Sequence, residues 1–441
     1  MTFIPFKTKP NLHYVYDMNK NSIYKITSSQ YSSLKNIFDG DSDDMSILEY
    51  FQKKGLLIKP KIKEIEHPAT KFLDNQMRTC VNSITFQMSQ NCNLRCNYCP
   101  YSGSDLYKNR VRSEKSISWN IVQRGIDFLF ENSSEADNLH IAFYGGEPLL
   151  AKDIIVQAMD YATKGIAGKN ITFGMTTNGT LLDIDFLKEI ENYNIAITVS
   201  LDGPSEVHDK NRYFADGNGS FNVICENIFT IKKLFPFIYD KLSINVVVTP
   251  ESNHSKIFDF FRNNNELFDI SKVSFNELSL NYTDRDIVYG SSYFEERNFD
   301  ALKGYLALIG KLDNSIIERY KRHVEEVFSF NEVFTPINQT PSYAHPGGTC
   351  VPGLKKLFID INGNFFPCER VNENSSLMKI GNINDGFDMS KIRKVLNVGA
   401  VADDACKNCW AFHCCSMCPI MADDGFSNHY SSEVKLEYVN I

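Results

Sequence analysis

The feature that most constrains this chain is a group of three closely spaced cysteines. Cys92, Cys96 and Cys99 have a Cys-x3-Cys-x2-Cys spacing. Three thiolates on one tight loop can hold three irons of a [4Fe-4S] cube and leave the fourth iron open to another molecule. Structural zinc prefers four ligands in two paired knuckles, and buried structural cysteines are the other alternative. The loop therefore predicts an iron-sulfur cluster with an open coordination site.

The same spacing resembles the signature loop of the radical S-adenosylmethionine (SAM) enzymes. That resemblance implies that the open iron binds the methionine end of SAM. It also implies that an electron from the cluster cleaves SAM and releases a 5'-deoxyadenosyl radical. Tyr98, directly before the third cysteine, fits the family pattern and is implied to lie near the adenine. The expected cofactors here are SAM and a [4Fe-4S] radical SAM cluster.

Length and composition exclude several other classes of protein. A chain of 441 residues is expected to form two or three domains, and its net charge of −8 gives no electrostatic footprint for nucleic acid. Its first residues lack the features of a signal peptide, and no apolar run is long enough to cross a bilayer. Twelve cysteines in a reducing compartment favour metal binding or catalysis over disulfides. We expect a cytoplasmic protein without a nucleic-acid or membrane partner.

Residues 1–78 are predicted to form a small separate domain. The pattern indicates strands at 13–17 and 22–26, a helix capped by Ser28 or Ser29 that reaches Phe38, a helix over 45–54, and a strand near 56–59. This order resembles the winged-helix domain that recognises leader peptides in many peptide-modifying enzymes, where the leader adds a strand to a sheet. A structural cap or a dimerisation unit would explain the pattern nearly as well, and the context favours peptide recognition.

Residues 79–335 alternate between strand-like and helix-like segments, which predicts parallel strands with helical crossovers. Resemblance to radical SAM enzymes makes this a partial (β/α)6 barrel, with its active residues at the carboxyl ends of the strands. Residues 336–441 are predicted to form a cysteine-rich domain. The predicted fold class is α/β: a partial radical SAM barrel, a small N-terminal α+β winged-helix-like domain and a C-terminal iron-sulfur domain.

A glycine-rich stretch follows the strand predicted at 139–144. Gly145, Gly146, Glu147 and Pro148 occur in succession, and the glycines allow a close approach of backbone to ligand. Two exposed backbone amides and an acceptor would suit a zwitterionic amino acid. The resemblance implies that this stretch binds the amino group of the SAM methionine.

Later strand ends supply further candidates. The candidates are Thr177, Asn178, Ser200, Asp202 and Arg212. The resemblance implies that Arg212 pairs with the SAM carboxylate and that the others contact SAM or line the substrate side. Capping of helices by Thr, Asn, Ser and Asp is the ordinary alternative. We assign Asp202 to catalysis and the others to cofactor binding, and we interpret His208 as structural.

The C-terminal cysteines resemble the SPASM extension, which carries auxiliary iron-sulfur clusters. A hairpin with an Asn-Gly turn is predicted between two of them, over 358–365. The resemblance implies two auxiliary [4Fe-4S] clusters: cluster I on Cys350, Cys368 and Cys418, and cluster II on Cys406, Cys409 and either Cys414 or Cys415. A four-cysteine zinc site is the alternative.

Two departures from the SPASM pattern leave cluster II incomplete. Cys415 satisfies the x5 step after Cys409, whereas Cys414 satisfies the x3 step to Cys418, and neither satisfies both. The final cysteine of the family is also missing. The adjacent cysteine pair could complete the ligands, as could an acidic or histidine side chain from Asp423, Asp424 and His429. An open iron or a smaller cluster is also compatible with the spacing.

These features favour a radical SAM peptide maturase. SPASM proteins mostly modify peptides, and a leader-binding domain favours a ribosomally synthesised precursor; an external one-electron reductant such as flavodoxin or ferredoxin is expected. The run from Cys99 to Gly103 resembles maturases of cysteine-rich peptides, which favours a cysteine sulfur-to-carbon thioether. Carbon-carbon cross-linking and epimerisation use the same machinery, and a leader-binding scaffold with structural clusters is the non-enzymatic alternative.

An anaerobic sulfatase maturase, which forms formylglycine, is the nearest competing enzyme. Those enzymes place an aspartate base directly after the hairpin cysteine, and this chain has Glu369 after Cys368. A glutamate could deprotonate or orient the substrate. A surface salt bridge is the plainer role for the same residue. Glu369 is therefore the second predicted catalytic residue.

Overall fold

The computed structural model describes residues 1–8, 12–101, 109–278, 288–312, 335–347, 350–415 and 418–423. Its contacts form two compact units. The first comprises Met1–Phe72, Glu325–Val351 and Arg393–Ile441, and the second comprises Leu73–Val324 and Pro352–Ile392. The domain limits at 78/79 and 335/336 remain sequence predictions.

The first unit contains a three-stranded antiparallel sheet with two helices. Elements are numbered along the chain: β1 (Phe3–Thr8), β2 (Leu12–Asp17), β3 (Ser22–Ile26), α1 (Ser28–Asp39) and α2 (Ser46–Lys53). The central strand is β2. Apolar side chains from the sheet and both helices form one core, which includes Val15, Leu34, Ile37 and Phe51. A short β4 (Glu64–Ile65) pairs in parallel with β11 (Tyr343–Ala344), and α13 (Asp403–Lys407) follows later.

Two local predictions for this unit are wrong. No strand forms near residues 56–59, because Leu57 adopts a φ of 52° and its amide donates to Oδ2 of buried Asp17 at 2.7 Å. Helix α1 is capped by Thr27 rather than by a serine, since Thr27 and Gln30 form a reciprocal capping box. The predicted strands at 13–17 and 22–26 and both helices are present, and β1 is an additional strand.

The second unit is built on a ten-stranded sheet with the order β10-β9-β8-β7-β6-β5-β12-β13-β14-β15. Six neighbouring strands are parallel: β5 (Ser83–Ser89), β6 (Asn138–Gly145), β7 (Asn170–Thr177), β8 (Ile195–Ser200), β9 (Leu242–Val248) and β10 (Val273–Glu277). Burial alternates along β9 because its apolar side chains at every second position face the core. The predicted α/β fold with six parallel strands is confirmed.

Helices connect these strands and extend beyond them. They are α3 (Leu73–Thr79), α4 (Trp119–Glu131), α5 (Lys152–Gly165), α6 (Ile184–Ile190), α7 (Ser205–Asn211), α8 (Phe221–Leu234), α9 (Pro236–Tyr239), α10 (His254–Asn263), α11 (Ser291–Leu308) and α12 (Met389–Leu396). The predicted hairpin is formed by β12 (Leu357–Ile359) and β13 (Asn364–Phe366), and Gly363 takes the left-handed turn conformation at φ 78°. Strand β12 pairs in parallel with β5, and β14 (Gly381–Asn382) and β15 (Gly386–Phe387) continue the sheet.

Candidate active site at the carboxyl ends of the strands

A cavity of about 450 Å³ lies in the second unit, where the parallel strands end. Strand β5 leads into the cysteine loop, and the segments that follow β6, β7 and β8 border the same space. The cavity brings together these predicted residues: Cys92, Cys96, Tyr98, Cys99, Gly145, Gly146, Thr177, Asn178, Ser200, Arg212 and Glu369. Glu147, Pro148 and Asp202 lie behind this lining rather than in it.

The three loop cysteines have surroundings that suit metal-bound thiolates. Burial raises the pKa of the Cys92 thiol to about 12 and also raises the pKa of Cys96. Such thiols ionise at neutral pH only when a cation compensates the charge. Two N–H groups point at the Cys92 sulfur, the backbone amide of Leu94 at 3.4 Å and the side-chain amide of Asn178 at 3.7 Å. Donors aimed at sulfur are typical of iron-sulfur sites, so the residues fit the expected cluster.

Among the described residues, no three Cys, His, Asp or Glu side chains converge on one point as they would around a single metal ion. A cubane cluster does not require such convergence, because each of its protein thiolates binds a different iron. The arrangement of the loop is therefore compatible with a cluster that spans Cys92, Cys96 and Cys99.

The glycine-rich stretch differs from the prediction of two exposed amides. The amide of Gly146 donates to the carbonyl of Ser89 at 2.8 Å, and the amide of Glu147 donates to that of Asn91 at 2.9 Å. Gly145 has a φ of 131°, and a side chain there would collide with the Ser89 backbone. The stretch thus holds the cysteine loop close to β6 through its own amides, and that close approach is why glycine is needed.

Glu147 is fully buried and connects the ends of β6 and β7. One carboxylate oxygen accepts from the hydroxyl of Thr177 at 2.6 Å and from the amide of Leu149 at 3.0 Å. The other accepts from the amide of Asn178 at 2.8 Å. Burial raises the pKa of Glu147 to about 7. Its contacts make it a positioning residue for Asn178, whose side chain reaches Cys92, and Pro148 begins the short turn behind it.

Asp202 is likewise buried and joins three parts of the site. Its Oδ2 accepts hydrogen bonds from Nε of Arg212 at 2.9 Å and from the hydroxyl of Tyr98, and its Oδ1 accepts from the amide of Val247 at 2.9 Å. The Arg212 guanidinium also lies over the Tyr98 ring, 5.2 Å from its centroid. Asp202 therefore orients two cavity-lining side chains.

His208 contacts the backbone of Asp202. Its Nδ1 accepts from the amide of Asp202 at 3.1 Å, and its Nε2 lies 2.9 Å from the hydroxyl of Ser220. That hydroxyl donates to the carbonyl of Arg212 at 3.0 Å, so Nε2 carries the imidazole proton. Burial lowers the pKa of His208 to about 4. These contacts agree with the structural interpretation of this histidine.

Glu369 lines the same cavity as the cysteine loop. Its Oε1 is 3.5 Å from Nζ of Lys356, a pair in which the lysine is largely exposed. The buried Arg110 guanidinium donates to the carbonyls of Glu369, Val371 and Asn109. Arg110 thus fixes the backbone beneath Glu369, which presents its carboxylate to the cavity.

The sequence analysis did not predict a group of buried polar side chains that are joined by hydrogen bonds around Gln87. Nε2 of Gln87 donates to the hydroxyl of Tyr101 at 3.0 Å and to Glu373 at 2.8 Å, while its Oε1 accepts from the amide of Ile361 at 3.2 Å. The available signal was a glutamine among the buried positions of β5, directly before the cysteine loop. A buried amide needs partners, so such a residue indicates a polar neighbourhood.

The auxiliary cysteines divide between the two units. Cys368 belongs to the second unit, whereas Cys350, Cys406, Cys409, Cys414, Cys415 and Cys418 belong to the first. Cys350 is exposed and Cys406 is buried. Asp423 is buried, but Asp424 and His429 lie outside the described residues, as do Ser102 and Gly103 of the run after Cys99.

Residues 86–262 match the Radical SAM superfamily. The chain contains a radical SAM domain. The chain is similar to the cysteine-type anaerobic sulfatase-maturating enzyme of Clostridium novyi, with 33% identity over 40% of this chain and 46% of that enzyme. The radical SAM cyclopropyl synthase TigE of Paramaledivibacter caminithermalis is 24% identical over 90% of this chain and 83% of its own length.

Solved structures confirm the fold. The structure described as native anSMEcpe with bound AdoMet and Cp18Cys peptide has a TM-score of 0.58 and 20% identity, and the alignment covers 81% of this chain and 95% of that one. The radical SAM fold is thereby confirmed. The family match of residues 86–262 and the two relatives above confirm the prediction of a radical SAM enzyme related to maturases. The match to the C. novyi enzyme spans less than half of its length. None of the helices described in this structure is long and apolar enough to span a membrane.

Proposed function

We propose that this chain is a radical SAM peptide maturase that installs a cysteine sulfur-to-carbon thioether in a ribosomally synthesised precursor peptide. The observation that carries the proposal is a single cavity whose lining includes both the three-cysteine loop and Glu369. Such a cavity can hold SAM beside the loop and a peptide segment beside the carboxylate.

In this proposal Cys92, Cys96 and Cys99 would hold a [4Fe-4S] cluster, and SAM would bind in the cavity that they line. Cluster and SAM together supply a carbon radical that abstracts a hydrogen from an unactivated carbon. Arg212 faces the carboxylate of SAM, for which its guanidinium fork is suited, while Tyr98, Ser200 and Thr177 border the remaining space. The backbone at Gly145 and Gly146 closes the side of the site next to the loop.

In this proposal the peptide binds in the part of the cavity beside Glu369. Tyr101, Asn109, Arg110 and Glu369 line it, and Arg110 holds the main chain beneath the glutamate. Glu369 takes the proton of the substrate thiol or orients the reacting residue, as a positioned carboxylate can. Its contacts with the exposed Lys356 and Arg370 are long, at 3.5 and 4.0 Å, and such exposed pairs are weak. They leave Glu369 available for that role.

Two auxiliary [4Fe-4S] clusters complete the proposed set of cofactors. Cluster I uses Cys350, Cys368 and Cys418, and cluster II uses cysteines of the segment from Cys406 to Cys415. Clusters held there would provide an acceptor for the second electron of the oxidation or a binding site for the substrate sulfur. A flavodoxin or ferredoxin is the proposed source of the electron for SAM cleavage. The large number of cysteines is the reason for placing the protein in the cytoplasm.

The N-terminal sheet is the proposed site for a leader peptide. Strand β2 is central, and among the described strands β1 and β3 each pair on one side only. An extended peptide can add to such an edge through main-chain hydrogen bonds. Ile23 on β3 is 47% exposed and offers apolar contact beside that edge.

SAM cleavage in a reduced, anaerobic sample tests the radical chemistry. We expect the wild-type protein to release 5'-deoxyadenosine with SAM and dithionite, and Cys92→Ala to abolish that release. Cys225→Ala, which alters a cysteine outside the three clusters, is the control and is expected to match wild type. Absence of 5'-deoxyadenosine despite full iron content would favour the scaffold alternative.

Formylglycine formation is the second candidate, because the C. novyi relative is a cysteine-type sulfatase maturase. Its substrate would be a sulfatase-derived peptide instead of a leader-bearing precursor. Incubation with a cysteine-containing peptide and a hydrazide probe separates the two activities. An aldehyde in the product supports the second candidate, and a hydrazide-inert product with a blocked thiol supports the thioether.

A further inference from the structure

Two polar side chains of the cavity lining, Asn109 and Tyr144, have no assigned role in SAM binding or in proton transfer. Tyr144 is the penultimate residue of β6, and Asn109 directly precedes Arg110. Barrel enzymes place their ligand-binding residues at the carboxyl ends of the parallel strands, which is where this cavity lies. Both side chains are therefore in a position to contact a bound substrate.

The main chain of Asn109 is tied to the segment that carries Glu369. The carbonyl of Asn109 accepts hydrogen bonds from the Arg110 guanidinium at 2.8 Å and from the amide of Glu373 at 3.1 Å. The same guanidinium donates to the carbonyl of Glu369. One buried arginine thus holds the backbone of Asn109 at a fixed position relative to that of the predicted catalytic glutamate.

The side chain of Asn109 contains a buried acceptor that lacks a partner. Asn109 is 8% exposed, and its Oδ1 makes no hydrogen bond within the part of the chain that the structure describes. Buried side-chain oxygens in native proteins are nearly always hydrogen-bonded. Because Asn109 lines the cavity, a ligand that carries an N–H group would provide the missing donor.

Tyr144 contributes a hydroxyl to the same lining. It pairs in register with Gln87 of β5, and paired residues of neighbouring parallel strands lie on the same face of a sheet. The charged groups that act on the Tyr144 phenol include Glu369, Cys99 and Arg110, so the phenol lies within range of both the cysteine loop and the glutamate. A phenol can donate its proton to a ligand acceptor.

We propose that Tyr144 and Asn109 bind the main chain of the substrate peptide beside Glu369, with the Tyr144 hydroxyl donating to a peptide carbonyl and the Asn109 Oδ1 accepting from a peptide N–H. The inference rests on the peptide substrate of the proposed function and names the part of it that the cavity recognises. Each peptide residue carries one such donor and one such acceptor. Recognition of this kind tolerates different side chains beside the modified cysteine but requires the main-chain N–H.

The first test compares Asn109→Leu and Tyr144→Phe with wild type, using the cysteine-containing precursor peptide as the probe. Leucine has nearly the shape of asparagine, and phenylalanine lacks only the hydroxyl. We expect both variants to keep wild-type iron content and 5'-deoxyadenosine release in the absence of peptide. Each is expected to lower kcat/KM for peptide conversion about 10-fold, the upper range for one lost hydrogen bond.

Matched substitutions outside the cavity are the controls. Asn138 lies at the amino end of β6, where its Oδ1 already accepts from Asn170 at 2.9 Å. The Tyr161 hydroxyl on α5 donates to Asp127 at 2.7 Å. Asn138→Leu and Tyr161→Phe are expected to convert the peptide as wild type does.

Depsipeptides identify the contacted group. In each, an ester replaces one amide at the cysteine or at a residue next to it, which removes the N–H without adding bulk. At one position the ester should lower conversion by wild type about 10-fold. In Asn109→Leu it should have little further effect, because the hydrogen bond is already lost. Alanine in place of the side chain at that position should cost less than the ester.

Thermal unfolding distinguishes ligand binding from a structural role of Asn109. Asn109→Leu replaces an unpartnered buried oxygen by an apolar group, so its midpoint should stay the same or rise. A lower midpoint with wild-type kinetics would indicate a structural water at Oδ1 and overturn the inference. Reduced SAM cleavage in both variants, or additive effects of ester and leucine, would also overturn it. Wild type that releases 5'-deoxyadenosine but leaves the precursor peptide unchanged would reject the proposed function, and the inference with it.

Discussion

Arg212 donates a hydrogen bond from Nε to Oδ2 of Asp202 at 2.9 Å, and both side chains are buried. The same carboxylate accepts from Tyr98, so one acidic residue orients two groups that line the cavity. A buried guanidinium that loses its carboxylate partner is left with an uncompensated charge. The geometry of the SAM side of the cavity therefore depends on a residue that does not line it.

Replacement of Asp202 by asparagine tests this dependence. We expect Asp202→Asn to reduce SAM cleavage about 10- to 100-fold, the usual effect of losing a residue that orients a ligand-binding group. The exposed Glu206→Gln on the next helix is the matched control. Release of 5'-deoxyadenosine over time, with iron content measured in each sample, is the readout. Wild-type cleavage by a fully loaded Asp202→Asn protein would show that Arg212 does not need its partner.

Glu369 is expected to act after SAM cleavage. Glu369→Gln should lower peptide conversion about 100-fold or more, as expected for loss of a general base, while 5'-deoxyadenosine is still formed. Lys356→Ala removes one of the two ion-pair partners of Glu369, the other being Arg370, but leaves the carboxylate, and it should retain conversion. The ratio of modified peptide to 5'-deoxyadenosine distinguishes a catalytic role of Glu369 from a surface salt bridge. Equal effects of the two variants on this ratio would indicate that Glu369 forms only a surface salt bridge.

Arg110 is expected to position the backbone that carries Glu369. Arg110→Lys keeps the positive charge but loses the planar fork that reaches three carbonyls. We predict about a 10-fold loss in peptide conversion, by analogy with other groups that orient a reactive residue, with SAM cleavage retained. Arg112→Lys, two residues further on, serves as the control. Equal loss of SAM cleavage and conversion would place Arg110 on the cofactor side instead.

His208 gives the second unit a pH-dependent stability. Its folded pKa of about 4 lies below the ordinary value of 6.5, so the unfolded chain binds more protons between these values. Stability is therefore complete above pH 6.5 and falls as the pH drops toward 4, by about 2 kcal/mol at pH 5. Protonation would remove the Nδ1 acceptor that holds the Asp202 amide.

Thermal unfolding between pH 5 and 7.5 measures this effect against His208→Gln. The variant is expected to be less stable at pH 7.5, because it loses the imidazole contacts, but to show a smaller decline on acidification. Parallel pH profiles for the two proteins would mean that other groups, not His208, cause the acid sensitivity.

The sequence predicted the site best where a residue type has one dominant chemistry. Closely spaced cysteines such as Cys92 and Cys96 indicate metal wherever the chain folds, and strand periodicity located the ends of β6 and β7. It did not reveal that the Gly146 amide is used by the backbone of Ser89, because a pairing across two loops depends on their distance in the fold.

Residues that act through long-range partners were also missed. Gln87 and Glu373 are 286 positions apart, and only the placement of β12 beside β5 brings them together. The strand predicted near Leu57 does not form, for a related reason. Its amide satisfies Asp17, 40 positions earlier, and that bond holds it at a positive φ despite its preference for extended structure.

Mass spectrometry of a reacted precursor peptide tests the central claim most directly. The protein, reconstituted under anaerobic conditions, is incubated with SAM, dithionite and a cysteine-containing precursor peptide, and the product is then treated with a thiol-alkylating reagent. A thioether predicts the loss of two hydrogens and a cysteine that can no longer be alkylated. Loss of two hydrogens with a cysteine that is still alkylated would contradict the thioether and indicate a carbon-carbon link.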